Sequence, residues 1–297
     1  MDQRRAPVIP VLATLGSAAL FGTSATSRAL SDLTIDSVTV AAVRLFIGAL
    51  GLVAISIIAG RSTQLVALWR QPLIWVMGVG VAGYQALFFV GTGLIGVAIG
   101  TLASLALGPL MAGLLAWARG GHRPSNAWWL STLVAIAGLV ALSSSAFGPD
   151  VHLDPLGIVA AVGAGSAYAV YTVLGSQLAQ SDSHPTDVLA ASFFIGSLLL
   201  LPLGIQHVNQ FASSTGIQLA LWLGLATTTL AYVLFGKGIG ALPPGTVATL
   251  NLAEPVIATA LGVVVLHESI TGMSALGCGL IAVSLSLLAV STLRGRS

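Results

Sequence analysis

A few polar residues stand inside otherwise apolar stretches, and their types could do chemistry. Glu254 precedes Pro255 within the apolar run 245–266. At 1.5 Å per residue it lies ~15 Å into that run, near the depth of a bilayer centre. A charged acid there is unfavourable by at least ~2.5 kcal/mol. It must face a cavity, pair with a base or take up a proton. Two roles are open. It can bind a substrate ammonium or cycle a proton; or it can stay neutral and hydrogen-bond backbone opened by Pro255, which has no N–H to give the preceding turn. Asn251 lies three residues earlier on the same helical face and suits either role. Arg44 is the second such charge, in the run 38–59. It can hold an anionic group such as a carboxylate, or pair with Glu254. The alternative is a structural arginine that satisfies helix-end carbonyls or reaches the surface.

Candidates to line a cavity beside these charges are Thr23, Ser24, Tyr84, Gln85, Ser104, Tyr168, Tyr171, Thr172, Thr228 and Tyr232. Most Ser and Thr in apolar helices bond only their own backbone or a neighbouring helix. Gln85 and Tyr171 stand out, because a buried amide or phenol needs a partner. Pro109 and Pro255 are expected to kink their helices and free carbonyls toward a cavity, although proline is also common in membrane helices. Trp69, Trp75, Trp128, Trp129 and Trp222 fall near helix ends, where interfacial anchoring is expected.

The elements that hold these residues follow from composition. Only 7% of the 297 residues are charged and 56% are hydrophobic, against about 25% charged in soluble domains. Apolar runs reach the ~20 residues that a bilayer crossing needs; the stretch 72–118 carries no charge and is long enough for two. Ten transmembrane helices are predicted, over 8–28, 37–59, 73–92, 97–118, 127–146, 156–178, 187–206, 215–236, 245–266 and 272–293. Arg4 and Arg5 ahead of the first run imitate a signal peptide, but the run is too long for one and is read as a retained helix. The 35 glycines suit close helix packing.

Ten crossings put both termini on one side. With the termini cytoplasmic, every Lys and Arg except Arg28 and Arg44 falls on the cytoplasmic side, as the positive-inside rule asks. The segment 179–186, with Asp182 and no Lys or Arg, is the one poor fit. The halves also repeat. Phe46-Ile47-Gly48-Ala49-Leu50 matches Phe194-Ile195-Gly196-Ser197-Leu198 at an offset of 148, and Ser17-Ala18 with Thr23 matches Ser166-Ala167 with Thr172 at 149. Gly91-x-Gly93 and Gly100-Thr101 match Gly236-x-Gly238 and Gly245-Thr246 at 145; Pro109 matches Pro255 at 146. Five helices per half, over 1–147 and 148–297, make the second half enter the membrane inverted, an architecture recurrent in transporters with a site between the halves.

These residues resemble the drug/metabolite transporter superfamily, in particular its bacterial EamA-type proteins, across nearly the whole chain as two EamA-like units. The resemblance is carried by Phe21-Gly22, Ala41-Ala42-Val43-Arg44-Leu45 and Gly108-Pro109. Its most specific part is Leu252-Ala253-Glu254-Pro255-Val256, followed by Leu266-His267-Glu268-Ser269-Ile270-Thr271. Two departures are notable. Ala118-Arg119-Gly120-Gly121-His122-Arg123 lacks the acid often found after that helix, and Gly108 replaces the acid that precedes proline in the second half. The resemblance implies a secondary transporter of small metabolites such as amino acids, commonly an exporter. It also implies a multi-pass protein of a bacterial inner membrane, working as a monomer or homodimer, with protons as a candidate coupling ion.

Other classes find little support. The net charge of +2 and the absence of a basic patch with interleaved aromatics argue against nucleic acid. With one cysteine, Cys278, no intrachain disulfide can form, and no metal or other cofactor is expected. A polytopic membrane enzyme would need a constellation. His267-Glu268 has no second histidine for HExxH, and Lys237 is followed by glycine, so there is no Walker A loop. A permease subunit of an ATP-driven complex would need a sizeable cytoplasmic coupling loop, and none is seen.

Overall fold

The predicted apolar runs all become helices, with ends that lie within five residues of those expected. The computed structural model describes residues 8–144, 154–181 and 183–294, and no strand occurs among them. In order come α1 (Val8–Ser31), α2 (Ser37–Ile58), α3 (Ser62–Trp69), α4 (Pro72–Ile95), α5 (Val97–Ala118), α6 (Asn126–Leu142), α7 (Pro155–Ala179), α8 (Pro185–Phe211), α9 (Ser214–Ile239), α10 (Pro244–Val265) and α11 (Gly272–Leu293). Among the described residues, nine of these are long and apolar enough to cross a membrane, and α6 is a shorter apolar helix. The start signals are local. Proline occupies the first turn of α4, α7, α8 and α10, where its missing N–H is harmless. Asp36, Ser125, Asp154, Ser213 and Thr271 accept a backbone N–H as side-chain caps. Gly96, with φ of 84°, alone separates α4 from α5; a side chain there would be strained. Asp182 and the expected boundary between the halves at 147/148 lie outside the described residues.

Large apolar side chains cover the outer surface as well as the core. Ile9, Ile58, Val97 and Val264 are among many large apolar side chains on the outer surface, while Thr14, Ser17, Thr172, Ser192 and Thr249 are buried. A water-soluble monomer rarely exposes so much apolar area. The protein is thus a multi-pass membrane protein whose outer residues face lipid.

Packing is two-fold. α4 lies against α7 as α9 lies against α1, α5 against α7 as α10 against α1, and α4 against α8 as α9 against α2. The two remaining large pairings, α2 with α8 and α6 with α11, join equivalent helices. Side chains repeat the pattern. The Ile195 side chain of α8 sits over Gly78 of α4, and the Ile47 side chain of α2 sits over Gly224 of α9; a Cβ at either glycine would collide with its isoleucine. These isoleucines are the equivalent residues of the two matching pentapeptides. α2 and α8 run antiparallel. Arg61, just past α2, pairs with Asp187 at the start of α8 (2.9 Å), while Asp36, just before α2, donates its N–H to Gln210 near the end of α8 (3.1 Å).

The structure departs from the sequence-based expectation in three places. The predicted spans 37–59 and 73–92 leave 60–72 as a connection, but α3 forms there and buries Leu65 and Leu68. α9 widens to a π-helix over Trp222–Leu230. There Thr228 and Thr229 donate to carbonyls five residues back, Leu223 and Gly224, and Thr229 also donates to Gly48 of α2 (3.1 Å). Finally, the prolines differ. α5 passes through Pro109 as one helix, whereas α10 is interrupted at Asn251–Leu252, between Pro244–Leu250 and Ala253–Val265. Pro255 cannot bond the carbonyl of Asn251, four residues earlier, and its ring crowds that carbonyl. The Asn251 oxygen is taken by the Glu254 N–H instead (3.0 Å), a tighter turn.

Candidate functional site

A cavity of about 70 Å³ lies among α1, α2, α4, α5, α7, α9 and α10, at the seam of the two halves. All four tyrosines of the protein, Tyr84, Tyr168, Tyr171 and Tyr232, line it. Their spacing explains the convergence. Tyr168 and Tyr171 are one helical turn apart on one face of α7, with ring centroids 5.2 Å apart. Tyr84 of α4 meets them at 6.0 and 6.4 Å. Tyr232 comes from the turn just after the π segment of α9 and stacks on Phe21 of α1 (5.1 Å) and Phe193 of α8 (4.2 Å). Its hydroxyl lies 3.5 Å from that of Tyr171.

Polar groups converge on the same space. Arg44 and Glu254 both line it. Neither is in an ion pair, since among the described residues the one such pair is Arg61–Asp187. The Arg44 side chain lines the cavity wall. Asn251, at the break in α10, accepts from Ser17 Oγ (3.1 Å) and donates to Tyr168 Oη (3.4 Å). The break thus lets one amide tie α1 to α7, and so links the two halves. Ser24 Oγ is buried at the wall with no hydrogen-bond partner. Ser104 lines the cavity too, but its hydroxyl is engaged by the carbonyls of Gly100 and Ala161. Pro109 and Gly108 complete that side.

Gln85 and Thr228 reach a smaller adjoining cavity that shares Arg44, Tyr84, Tyr171 and Tyr232 with the main one. Two of the expected lining residues lie elsewhere. Thr23 faces Trp222, whose Nε1 donates to its hydroxyl (3.2 Å); Thr172 is buried away from the cavity, and its hydroxyl lacks a partner. Trp128 also departs from expectation: it is 3% exposed and packed on Gly113, not an interfacial anchor. Of the apolar lining residues, Phe21 and Leu252 stand in the motifs that carry the resemblance, whereas Leu105 and Ala248 carry no sequence signal of their own.

The cavity presents one cation and one acid from different halves, hydroxyls between them and aromatic walls. That donor set is chemically complementary to both ends of a small bipolar molecule. Among the described residues no cluster of His, Cys, Asp and Glu could hold a metal ion.

Comparison with known proteins agrees with this architecture. The EamA-like transporter family matches the chain twice, over residues 8–144 and 155–290. The chain is 33% identical over 276 residues to the uncharacterized transporter YwfM of Bacillus subtilis, covering 93% of this chain and 92% of the relative. It is 30% identical over 214 residues to the threonine/homoserine exporter RhtA of Escherichia coli, covering 71% of this chain and 68% of the relative. A solved crystal structure at 22% identity superposes with a TM-score of 0.81 over 97% of this chain and 99% of its own, which shows a shared fold. By sequence, by its two repeated units and by the pairing of its helices, the chain belongs to the EamA-like transporter family.

Proposed function

We propose that the chain is a secondary transporter that exports small zwitterionic metabolites, amino acids among them, across a bacterial inner membrane with both termini cytoplasmic. The observation that carries this reading is the placement of Arg44 and Glu254, from opposite halves and without ion-pair partners, on one enclosed cavity. Arginine presents a fork suited to a carboxylate. Glu254 suits an ammonium, and tyrosine faces attract the same cation. The similarity to a threonine/homoserine exporter supports both the substrate class and the outward direction. Two inverted halves offer two near-equivalent packings, so the cavity opens to one side and then the other as the halves rock. No covalent step is involved; substrate charges replace water at Arg44 and Glu254 on entry and give it back on release.

Protons are the proposed coupling ion, with Glu254 as the group that exchanges them. Reconstituted protein in liposomes should show counterflow of a labelled amino acid. Absence of counterflow for any amino acid or small metabolite in a broad panel would end the transporter assignment for this chain. The coupling stands apart from that: if Glu254→Gln kept full uptake driven by a pH gradient, proton coupling through Glu254 would be wrong while transport stood.

A further inference from the structure

A second cavity, of about 60 Å³, lies at the end of the bundle that carries Arg119, Arg123 and Lys237. One wall is the α5–α6 turn of the first half, with His122, Arg123 and Ser125; the other is the start of α10 in the second half, with Gly245 and Thr246. Between them is Trp128. Its ring is clamped between glycines: a Cβ at Gly113 would strike the six-membered ring, and a Cβ at Gly245 would lie 3.0 Å from Nε1. The side chain is 3% exposed, and Nε1 is buried with no hydrogen-bond partner. An indole N–H is a donor only, and a buried donor left unpaired is unfavourable by about 1–3 kcal/mol. Among the described residues no group accepts this N–H. It points instead to an acceptor supplied from outside the chain.

Everything else around the slot favours a negative acceptor. Arg123 lines the cavity, its guanidinium resting 5.9 Å from the Trp117 ring centroid, on the exposed face. His122 adds a second nitrogen donor. The 17-residue α6 begins here with Ser125 as its cap, so its positive end faces the cavity. The Thr246 hydroxyl completes the set from the other half. No acidic side chain lines the cavity.

We propose that this cavity binds one phosphate-class anionic group, held by Trp128 Nε1, Arg123 and the start of α6. The group bridges α5–α6 and the start of α10, which belong to opposite halves. Its binding therefore favours the arrangement in which these elements are closed on one another, and shifts the equilibrium between the two states of the carrier. That consequence rests on the alternating-access reading; the binding itself does not.

The test uses the full-length protein in phosphatidylcholine nanodiscs. Thermal unfolding is followed with rising inorganic phosphate, against chloride at equal ionic strength, and in parallel in nanodiscs containing phosphatidylglycerol. A saturable rise in Tm with phosphate supports the site with a free anion as ligand. A rise confined to phosphatidylglycerol supports it with a lipid headgroup as ligand. In either case Trp128→Phe, which keeps one aromatic ring and removes the donor, and Arg123→Gln should each weaken the effect about tenfold, the loss expected for one hydrogen bond to a charged group. The shift is read without any transport measurement, so failure of the transport assignment and failure of this site are separable. No stabilisation by either source, or stabilisation that survives both variants undiminished, overturns the proposal.

Discussion

The two crossings that flank the central cavity are equivalent in the repeat yet opposite in content. At one, α10 brings Glu254 and α1 makes room for it: a Cβ at Gly22 would lie 2.9 Å from both the Glu254 carbonyl and Ile257 Cβ. At the other, α5 brings Gly108 where the acid would be, and α7 fills the space with Tyr168, whose ring edge lies 3.2 Å from a Cβ built on Gly108. The offset of 149 that relates α1 to α7 sets Gly22 against Tyr171 and Ala19 against Tyr168. Small residues thus face the acid and large rings face the glycine. The cation is divided the same way. Arg44 has Ser192 as its equivalent at an offset of 148, and that hydroxyl is buried on the carbonyl of Val188. Each half supplies one charge and omits the other. A two-fold scaffold therefore encloses a site with a positive and a negative end, which is what a zwitterion needs and what strict symmetry could not give.

Breaking the charge division should have the largest effect. Arg44→Gln and Glu254→Gln should each lower amino-acid counterflow about 100-fold, because one buried substrate charge is left unpaired at ~2–5 kcal/mol. Counterflow within a few-fold of wild type in either variant would mean that the charge does not touch substrate. Moving the acid is a sharper test. Gly108→Glu combined with Glu254→Gly keeps the same groups but asks Glu to fit where the Tyr168 ring already lies. Transport should stay absent; recovery to wild-type rates would show the two crossings to be interchangeable.

Smaller effects separate the crossings by packing alone. Gly22→Ala must move backbone and a branched side chain, so it should destabilise by ~1–3 kcal/mol, as overpacking does. Gly108→Ala meets only a ring edge that can yield by a few tenths of an ångström, and should cost less than about 1 kcal/mol. Denaturation midpoints in detergent would reveal the order, and equal losses would remove the distinction. The smallest difference lies at the caps that start α2 and α8, the equivalent residues Asp36 and His184. Backbone hydrogen bonding from Thr39 holds the Asp36 carboxyl below its ordinary value of 3.8. Burial, helped by Arg61, lowers His184 below 6.5. Both native values are depressed, so each contribution is complete above the unfolded value and is lost as the pH falls. The α8 cap should weaken from about pH 6.5 downward, since a protonated Nδ1 cannot accept the Thr186 N–H; the α2 cap should hold until below about 3.8. Amide exchange of Thr39 and Thr186 against pH would show whether the two midpoints are ordered this way.

Much of the fold could be read locally. The start at Ser37 and the whole of 97–118 and 272–293 match the predicted ends, because the length of an apolar run is set by the bilayer and not by a partner helix. Of the candidate site, Glu254, Arg44, Asn251 and the four tyrosines converge as their polarity suggested. Thr23 and Thr172 do not: Thr23 donates to the Leu20 carbonyl and accepts from the Trp222 indole, while Thr172 is buried with its hydroxyl unpaired, so the polarity of a hydroxyl alone does not say which way it faces. The interfacial expectation fails for Trp128 because a position at a helix start is shared by interfacial and buried tryptophans, and only Gly113 and Gly245, distant in sequence, decide between them.

The cavity charges show most clearly where sequence stops. By itself the sequence determined the membrane class, the spans and the five-plus-five repeat, since each is a property of runs and of internal similarity. It also marked Arg44 and Glu254 as residues that need a reason to be where they are. Only the tertiary structure decided which way they point. Helices such as α5 and α11 are apolar on every side, so no amphipathic stripe fixes their rotation in advance. Rotation is set by glycine contacts between helices far apart in the chain, such as Gly78 under Ile195 and Gly224 under Ile47, and those contacts exist only once the two halves have packed.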